Sequence, residues 1–152
     1  MFFFNISDGS GEIHGTDISD RMRDVASSRL KDQIANGRIH IHSYSVDNMG
    51  FDDHIFDSVF HCNCYYFWPN MDRAVSELRR VMIPGGLIIA TMNTSRLKIL
   101  REKGMMIGNI DPDPYMRSLE RHGFKDVTLH ENFDKDLQRP FQAITATSPE
   151  ID

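Results

Sequence analysis

Short apolar runs alternate with amphipathic stretches along the 152 residues. Glu12-Ile13-His14-Gly15-Thr16-Asp17 predicts a short strand, after which Ser19 offers an N-cap and Asp20 an acidic first turn. Met22, Val25, Ala26, Arg29 and Leu30 then recur at i, i+3, i+4, i+7 and i+8. Gly37 is a stop signal, so the spacing predicts one helix over Asp20–Asn36. Ile39-His40-Ile41-His42 alternates with period two, the pattern of a strand with one wet face. Phe56–Phe60 reads as a strand, Met71–Val81 as a helix with Ala74, Val75 and Leu78 on one side, and Pro84-Gly85-Gly86 as a break. Leu87-Ile88-Ile89-Ala90 is a continuous apolar run, as in a strand covered on both faces. Two helices over Thr94–Lys103 and Pro114–His122 precede strands at Val127–Leu129 and Phe141–Ala146. Strands alternating with helices predict an α/β fold, a Rossmann-like, doubly wound and mainly parallel sheet. The last two strands have no helix between them and predict a C-terminal antiparallel hairpin.

Composition narrows the class. Hydrophobic residues make up 40% and charged residues 26%, the balance of one globular domain over residues 1–152. No apolar run is long enough to span a membrane. A net charge of −5 argues against a nucleic-acid partner. The two cysteines, Cys62 and Cys64, are one residue apart, a poor disulfide framework that suits a reducing, cytoplasmic setting. His54, His61, Cys62 and Cys64 are near one another in sequence, yet Cys-x-Cys lacks the spacing of a metal-ligand pair, and no metal site is expected. His14, His40 and His42 read as strand-face residues.

Chemistry in a doubly wound sheet collects at the carboxyl ends of the strands, where an acid commonly grips a ribose diol. Asp17 holds such a position, although an Asp there also suits a capping role beside Ser19. The segments Gly15-Thr16-Asp17-Ile18-Ser19, Phe51 to Val59, Asn63 to Asn70 and Glu77 to Leu87 come in an order and at intervals that resemble class I S-adenosylmethionine-dependent methyltransferases, as a methyltransferase type 11-like domain. His122-Gly123-Phe124 and Phe141-Gln142-Ala143 resemble that family's closing strands. The resemblance implies S-adenosylmethionine as cofactor. Asp17 would hold its ribose, Ile18 and Met22 would wall its adenine, Val46 would offer a backbone N–H, and Asn63 would lie beside the methionine end. Tyr65, Tyr66, Phe67 and Trp68 would line the substrate side, toward a small-molecule or unknown methyl acceptor. No residue is assigned as a catalytic base. Asp17, Val46 and Asn63 are expected on one rim.

Two departures from the family pattern stand out. Ser45 occupies the adenine position where the family has Asp, with Asp47 two residues on. The family's first strand and glycine-rich loop are absent, so the resemblance is to a domain truncated at its amino end that binds cofactor weakly. Met1–Ile6 resembles the tail of a first helix. Omitting a central strand would leave a gap of about 10 Å. The gap is expected to close by drift of neighbouring strands or to drive self-association through exposed sheet edges, with amide exchange fastest in Glu12–Ser45. Phe2–Ile6 as a substitute strand is the least favoured route, because the short Ser7–Gly11 connection allows only an antiparallel hairpin. A non-catalytic methyltransferase-like partner subunit and a nicotinamide-dependent Rossmann enzyme are the competing readings.

Overall fold

The computed structural model describes residues 2–5 (as backbone), 11–105, 108–136 and 138–150. Seven strands form one sheet: β1 (Phe2–Asn5), β2 (Glu12–Thr16), β3 (Ile39–His42), β4 (Phe56–Cys62), β5 (Met82–Met92), β6 (Lys125–Asp134) and β7 (Arg139–Thr147). Their order across the sheet is β3-β2-β1-β4-β5-β7-β6. β2 pairs parallel with β3, and β4 parallel with β5. β1 is antiparallel to both β2 and β4, so these two run the same way. β7 is antiparallel to β5 and β6, which closes the chain in the expected hairpin. Five strands therefore share one direction, and β1 and β7 oppose it.

β1 corrects the sequence-based expectation at the centre of the sheet. Phe2–Asn5 is neither the tail of a helix nor a bystander; it fills the interior position that was expected to be a gap. Phe3 is paired with His14 on one side and Val59 on the other. The short connection to β2 does force an antiparallel hairpin, as its length requires, and the sheet accepts a reversed strand there because either direction satisfies backbone N–H and C=O groups. Most of the 7–11 connection lies outside the described residues. The free edges are β3 and β6 rather than interior strands.

Helices flank the sheet on both faces. α1 (Asp20–Arg29) and α2 (Lys31–Ala35) connect β2 to β3, and α3 (Met71–Val81) connects β4 to β5. These right-handed crossovers run outward in opposite directions from the centre, so their helices lie on opposite faces. α4 (Thr94–Glu102) and α5 (Asp113–Arg121) follow β5. Ser118 and Arg121 of α5 both donate to Asp72 of α3, at 2.6 Å each, and tie those two helices together.

The expected single helix over Asp20–Asn36 is two. Leu30 leaves helical geometry (φ −111°, ψ 18°) after Ser27 and Ser28, residues that favour local alternatives to the helical ladder. Ser19 does cap α1, accepting from the Met22 N–H, and Gly37 terminates α2 with φ 76°. Met22 and Val25 lie on the solvent side of α1, which has no fully buried residue. The Pro84-Gly85-Gly86 break lies inside β5 as a bulge: Phe56 pairs with Met82, but Ser58 with Leu87. A Cβ at Gly86 would come within 2.9 Å of the Asp57 carbonyl oxygen, so the close approach requires glycine.

The core lies on one face. Val59, Ile88, Ala90, Met92 and Ile144 pack beneath Val75, Leu78 and Val81 of α3 and Tyr115 and Leu119 of α5. Leu87, next to Ile88 and on the opposite face of β5, is 41% exposed. The run Leu87–Ala90 was expected to be covered on both sides and is covered on one.

Candidate active site at the carboxyl rim

Strands β2, β3, β4 and β5 all end at the same rim. Asp17 follows β2, the 43–55 loop follows β3, Asn63 follows β4, and Asn93 follows β5. Asp17, Val46 and Asn63 thus share one edge of the sheet.

Asp17 is half-buried and fixed by its surroundings. Its N–H donates to the His42 carbonyl (3.2 Å), its Oδ1 accepts from the Ser19 N–H (2.8 Å), and its carbonyl accepts from Arg23 (2.9 Å). The turn-forming role is therefore present, with one carboxylate oxygen engaged in it. Beside it Ile18 is 73% and Met22 54% exposed, an apolar pair left open to solvent next to an acid.

Ser45 and Val46 belong to a tight turn in which the Asn48 N–H donates to the Ser45 carbonyl at 3.1 Å. The Ser45 hydroxyl donates to Asp47 at 2.5 Å, and that bond holds the half-buried Asp47 carboxyl below its ordinary range. Val46 packs against the core cluster. Downstream, Arg80 donates to the carbonyls of Met49 and Phe51 and to Glu77 and Asp53. Glu77 in turn accepts from the Met49 N–H at 2.8 Å. This clamp fixes the loop carrying Ser45 and Val46 to α3. Sequence reading missed it, because an Arg and a Glu three apart on a helix look like an ordinary surface pair.

Asn63 adopts φ 52°, a conformation Asn tolerates better than most residues. Its N–H donates to the Thr91 carbonyl and its Oδ1 accepts from the Asn93 N–H, both at 2.9 Å. Asn93 caps α4 by accepting from the Arg96 N–H at 3.0 Å. Asn63 is thus a clip between the ends of β4 and β5, with its amide nitrogen directed to the Cys62 sulfur at 3.2 Å.

The aromatic run does not face the rim as a unit. Tyr65 and Tyr66 are buried. Tyr65 stacks on Tyr115 with ring centroids 4.8 Å apart and donates to the Met92 sulfur. Burial pushes the Tyr66 phenol up to about 12. Phe67, 59% exposed, remains toward solvent, whereas half-buried Trp68 packs on the core with its ring 5.1 Å from that of His61 and edge-on to Tyr115. Three large rings meet the core here because the chain turns sharply after Asn63 in a single 3-10 turn over Tyr65–Phe67.

The two cysteines sit in different surroundings. Cys62 is exposed, and burial raises the Cys64 thiol to about 11, away from thiolate chemistry. His54 is turned to the Met82 carbonyl (2.9 Å). His61 is fully buried, with Nε2 at 2.9 Å from the Tyr115 hydroxyl and Nδ1 without a partner. Burial lowers its pKa to about 3.

A cavity of about 790 Å³ opens at the same rim beyond β5. Met92, Thr94, Lys98, Asp111, Phe133 and Phe141 are among the residues that line it, so apolar walls alternate with charges of both signs. Its walls come from α4, the 109–112 loop and the turn end of the β6–β7 hairpin. Residues so far apart in sequence give no local signal, and the sequence reading assigned the substrate side to the aromatic run instead.

The sequence model of the methyltransferase domain family matches residues 2–90, more than half of the chain. An uncharacterized methyltransferase of Bacillus subtilis, YdaC, is 22% identical over 117 residues, 77% of this chain and 60% of its own length. The ubiquinone/menaquinone biosynthesis C-methyltransferase UbiE of Vibrio cholerae is 25% identical over 126 residues, 74% of this chain and 48% of its own. The chain thus spans about half the length of the curated relatives it matches. A putative methyltransferase of Haloferax volcanii, solved with the Trm112 methyltransferase activator, has the same fold at a TM-score of 0.75. It is 14% identical, with 91% of this chain and 72% of that one covered. Family match and fold agree: this chain belongs to the class I S-adenosylmethionine-dependent methyltransferases.

Proposed function

We propose that the chain binds S-adenosylmethionine at the carboxyl rim and serves methyl transfer to a small acceptor held in the cavity beyond β5. The observation that carries this reading is the convergence at one rim of Asp17, the Ser45–Val46 turn and Asn63, with the open apolar pair Ile18 and Met22 beside the acid. These residues fit the cofactor. A carboxylate suits a ribose diol, and Ile18 and Met22 suit an adenine face. Ser45 can accept or donate at the adenine edge without the strength of a charged partner. Asn63, engaged with Asn93, contributes by holding the ends of β4 and β5 in place rather than through a free carbonyl oxygen. A sulfonium supplies an already activated methyl group, so the protein's share is alignment of the acceptor with it. Cavity walls of mixed polarity suit an acceptor with both apolar and charged parts, of small-metabolite size.

Titration calorimetry with S-adenosylhomocysteine tests the reading. Binding in the range of about 0.1 to 1 mM is expected. Asp17→Ala should weaken it by at least about tenfold, the worth of one charge-assisted hydrogen bond. Met22→Lys should weaken it while leaving the unfolding midpoint in place. No binding by the parent chain would favour the non-catalytic partner-subunit reading, and binding of a nicotinamide dinucleotide in its place would favour the Rossmann oxidoreductase.

A further inference from the structure

β2 and β3 place four polar side chains on one face of the sheet. The strands are parallel, with His14 opposite His40, and period two adds Glu12 on β2 and His42 on β3 to the same face. His14 Nε2 lies 3.6 Å and His40 Nε2 3.9 Å from the same carboxylate oxygen of Glu12. One ligand atom from each of these three residues lies within 4.8 Å of the others. The His14 ring stacks on His40 (4.9 Å) and meets the edges of Phe51 and Phe56, so one side of the cluster is apolar. His14 Nδ1 is 3.0 Å from His42 Nε2.

We propose that Glu12, His14 and His40 form a binding site for a divalent transition metal of the Zn2+ type, on the β2–β3 sheet face that leads up to the cofactor rim. Two imidazole nitrogens and one carboxylate oxygen are a borderline donor set that suits Zn2+ and its neighbours rather than Mg2+ or Ca2+. Bonds of about 2.0–2.1 Å place tetrahedral ligand atoms about 3.3 Å apart. The cluster is looser than that, and modest side-chain rotations on half-exposed residues bring it in. His42 supplies what a metal-bound imidazole ordinarily has, a partner for its second nitrogen. With the Nδ1 proton of His14 donated to His42, the Nε2 lone pair faces the Glu12 carboxylate, and a cation between them resolves the opposition. The fourth position opens to water. Such an ion would join the edge strand β3 to β2 where these two strands meet.

The test is titration of the chelator-treated 152-residue chain with Zn2+, followed by Co2+ as a spectroscopic probe. One equivalent should bind with micromolar or tighter affinity. His14→Gln and His40→Gln should each weaken it by at least tenfold, and His42→Gln by about 10- to 100-fold as an outer partner. A Cys62→Ser, Cys64→Ser double variant should bind as the parent does, and the Co2+ form should lack a thiolate charge-transfer band. Glu12→Gln, at a half-exposed side chain, decides the matter where a histidine variant does not fold: unchanged affinity there overturns the proposal. So would absence of stoichiometric binding, survival of binding without both His14 and His40, or its loss with the cysteines.

Discussion

His61 shows what one residue contributes when its environment opposes its ordinary chemistry. The side chain is buried at the end of β4, bonded to Tyr115 through one nitrogen and unpartnered at the other. Burial penalises the charged form, so the imidazole stays neutral in the folded state down to about pH 3, whereas the unfolded chain takes up a proton near 6.5. Below pH 6.5 the unfolded state therefore binds more protons, and stability falls as pH falls toward 3, with a slope approaching 1.4 kcal/mol per pH unit. Burial also holds His14 and His42 below their ordinary value, which adds to the same loss. His61→Gln keeps a group for the Tyr115 hydroxyl and removes the titration. Urea denaturation at pH 7.5, 6 and 5 should show a shallower decline for this variant than for the parent, and parallel declines would exclude His61 as the source.

At the scale of elements, β1 decides whether the sheet is continuous. A strand with partners on both sides commits its backbone donors to the ladder, so proline is excluded from such a position. Phe3→Pro should cost at least about 2 kcal/mol, from a lost ladder bond and an unsatisfied buried carbonyl. Amide exchange across β2 and β4 should rise together, while β6 and β7 keep their protection. Unchanged exchange in β2 would remove β1 from the sheet and restore the open gap that the sequence suggests. α1 gives the complementary case: spacing puts the apolar residues Met22 and Val25 on one helix side, and that side faces solvent. Spacing fixes which residues share a helix side, whereas the docking rotation depends on what covers them.

At the scale of the molecule, the large apolar side chains of β4, β5 and β7 are fully buried on one face. Val59, Ile88 and Ala146 are register partners beneath α3 and α5, whereas Ser58, Leu87 and Thr147 are partners on the opposite face. Two substitutions in adjacent residues of β5 should therefore behave differently. Ile88→Ala should cost about 3 kcal/mol through lost burial and a residual cavity. Leu87→Ala should cost less than about 1 kcal/mol, in keeping with a side chain that already meets water. Equal losses in chemical denaturation would show that another element covers the Leu87 face.

The sequence by itself determined the α/β class, most elements near their observed positions, the C-terminal hairpin and the location of Asp17, Val46 and Asn63 at strand ends. These follow from local periodicity, caps and glycine stops, and the family resemblance added the cofactor. Tertiary structure alone decided which strand fills the centre of the sheet, because strand partners are chosen by the backbone groups left unpaired rather than by any local pattern. It also decided that Tyr65 and Tyr66 turn into the core, that Arg80 reaches across to the 49–53 loop, and that Glu12, His14, His40 and His42 converge. Period two put Glu12 with His14 and His40 with His42. Only the register of β2 against β3 brought the two pairs within reach of one another.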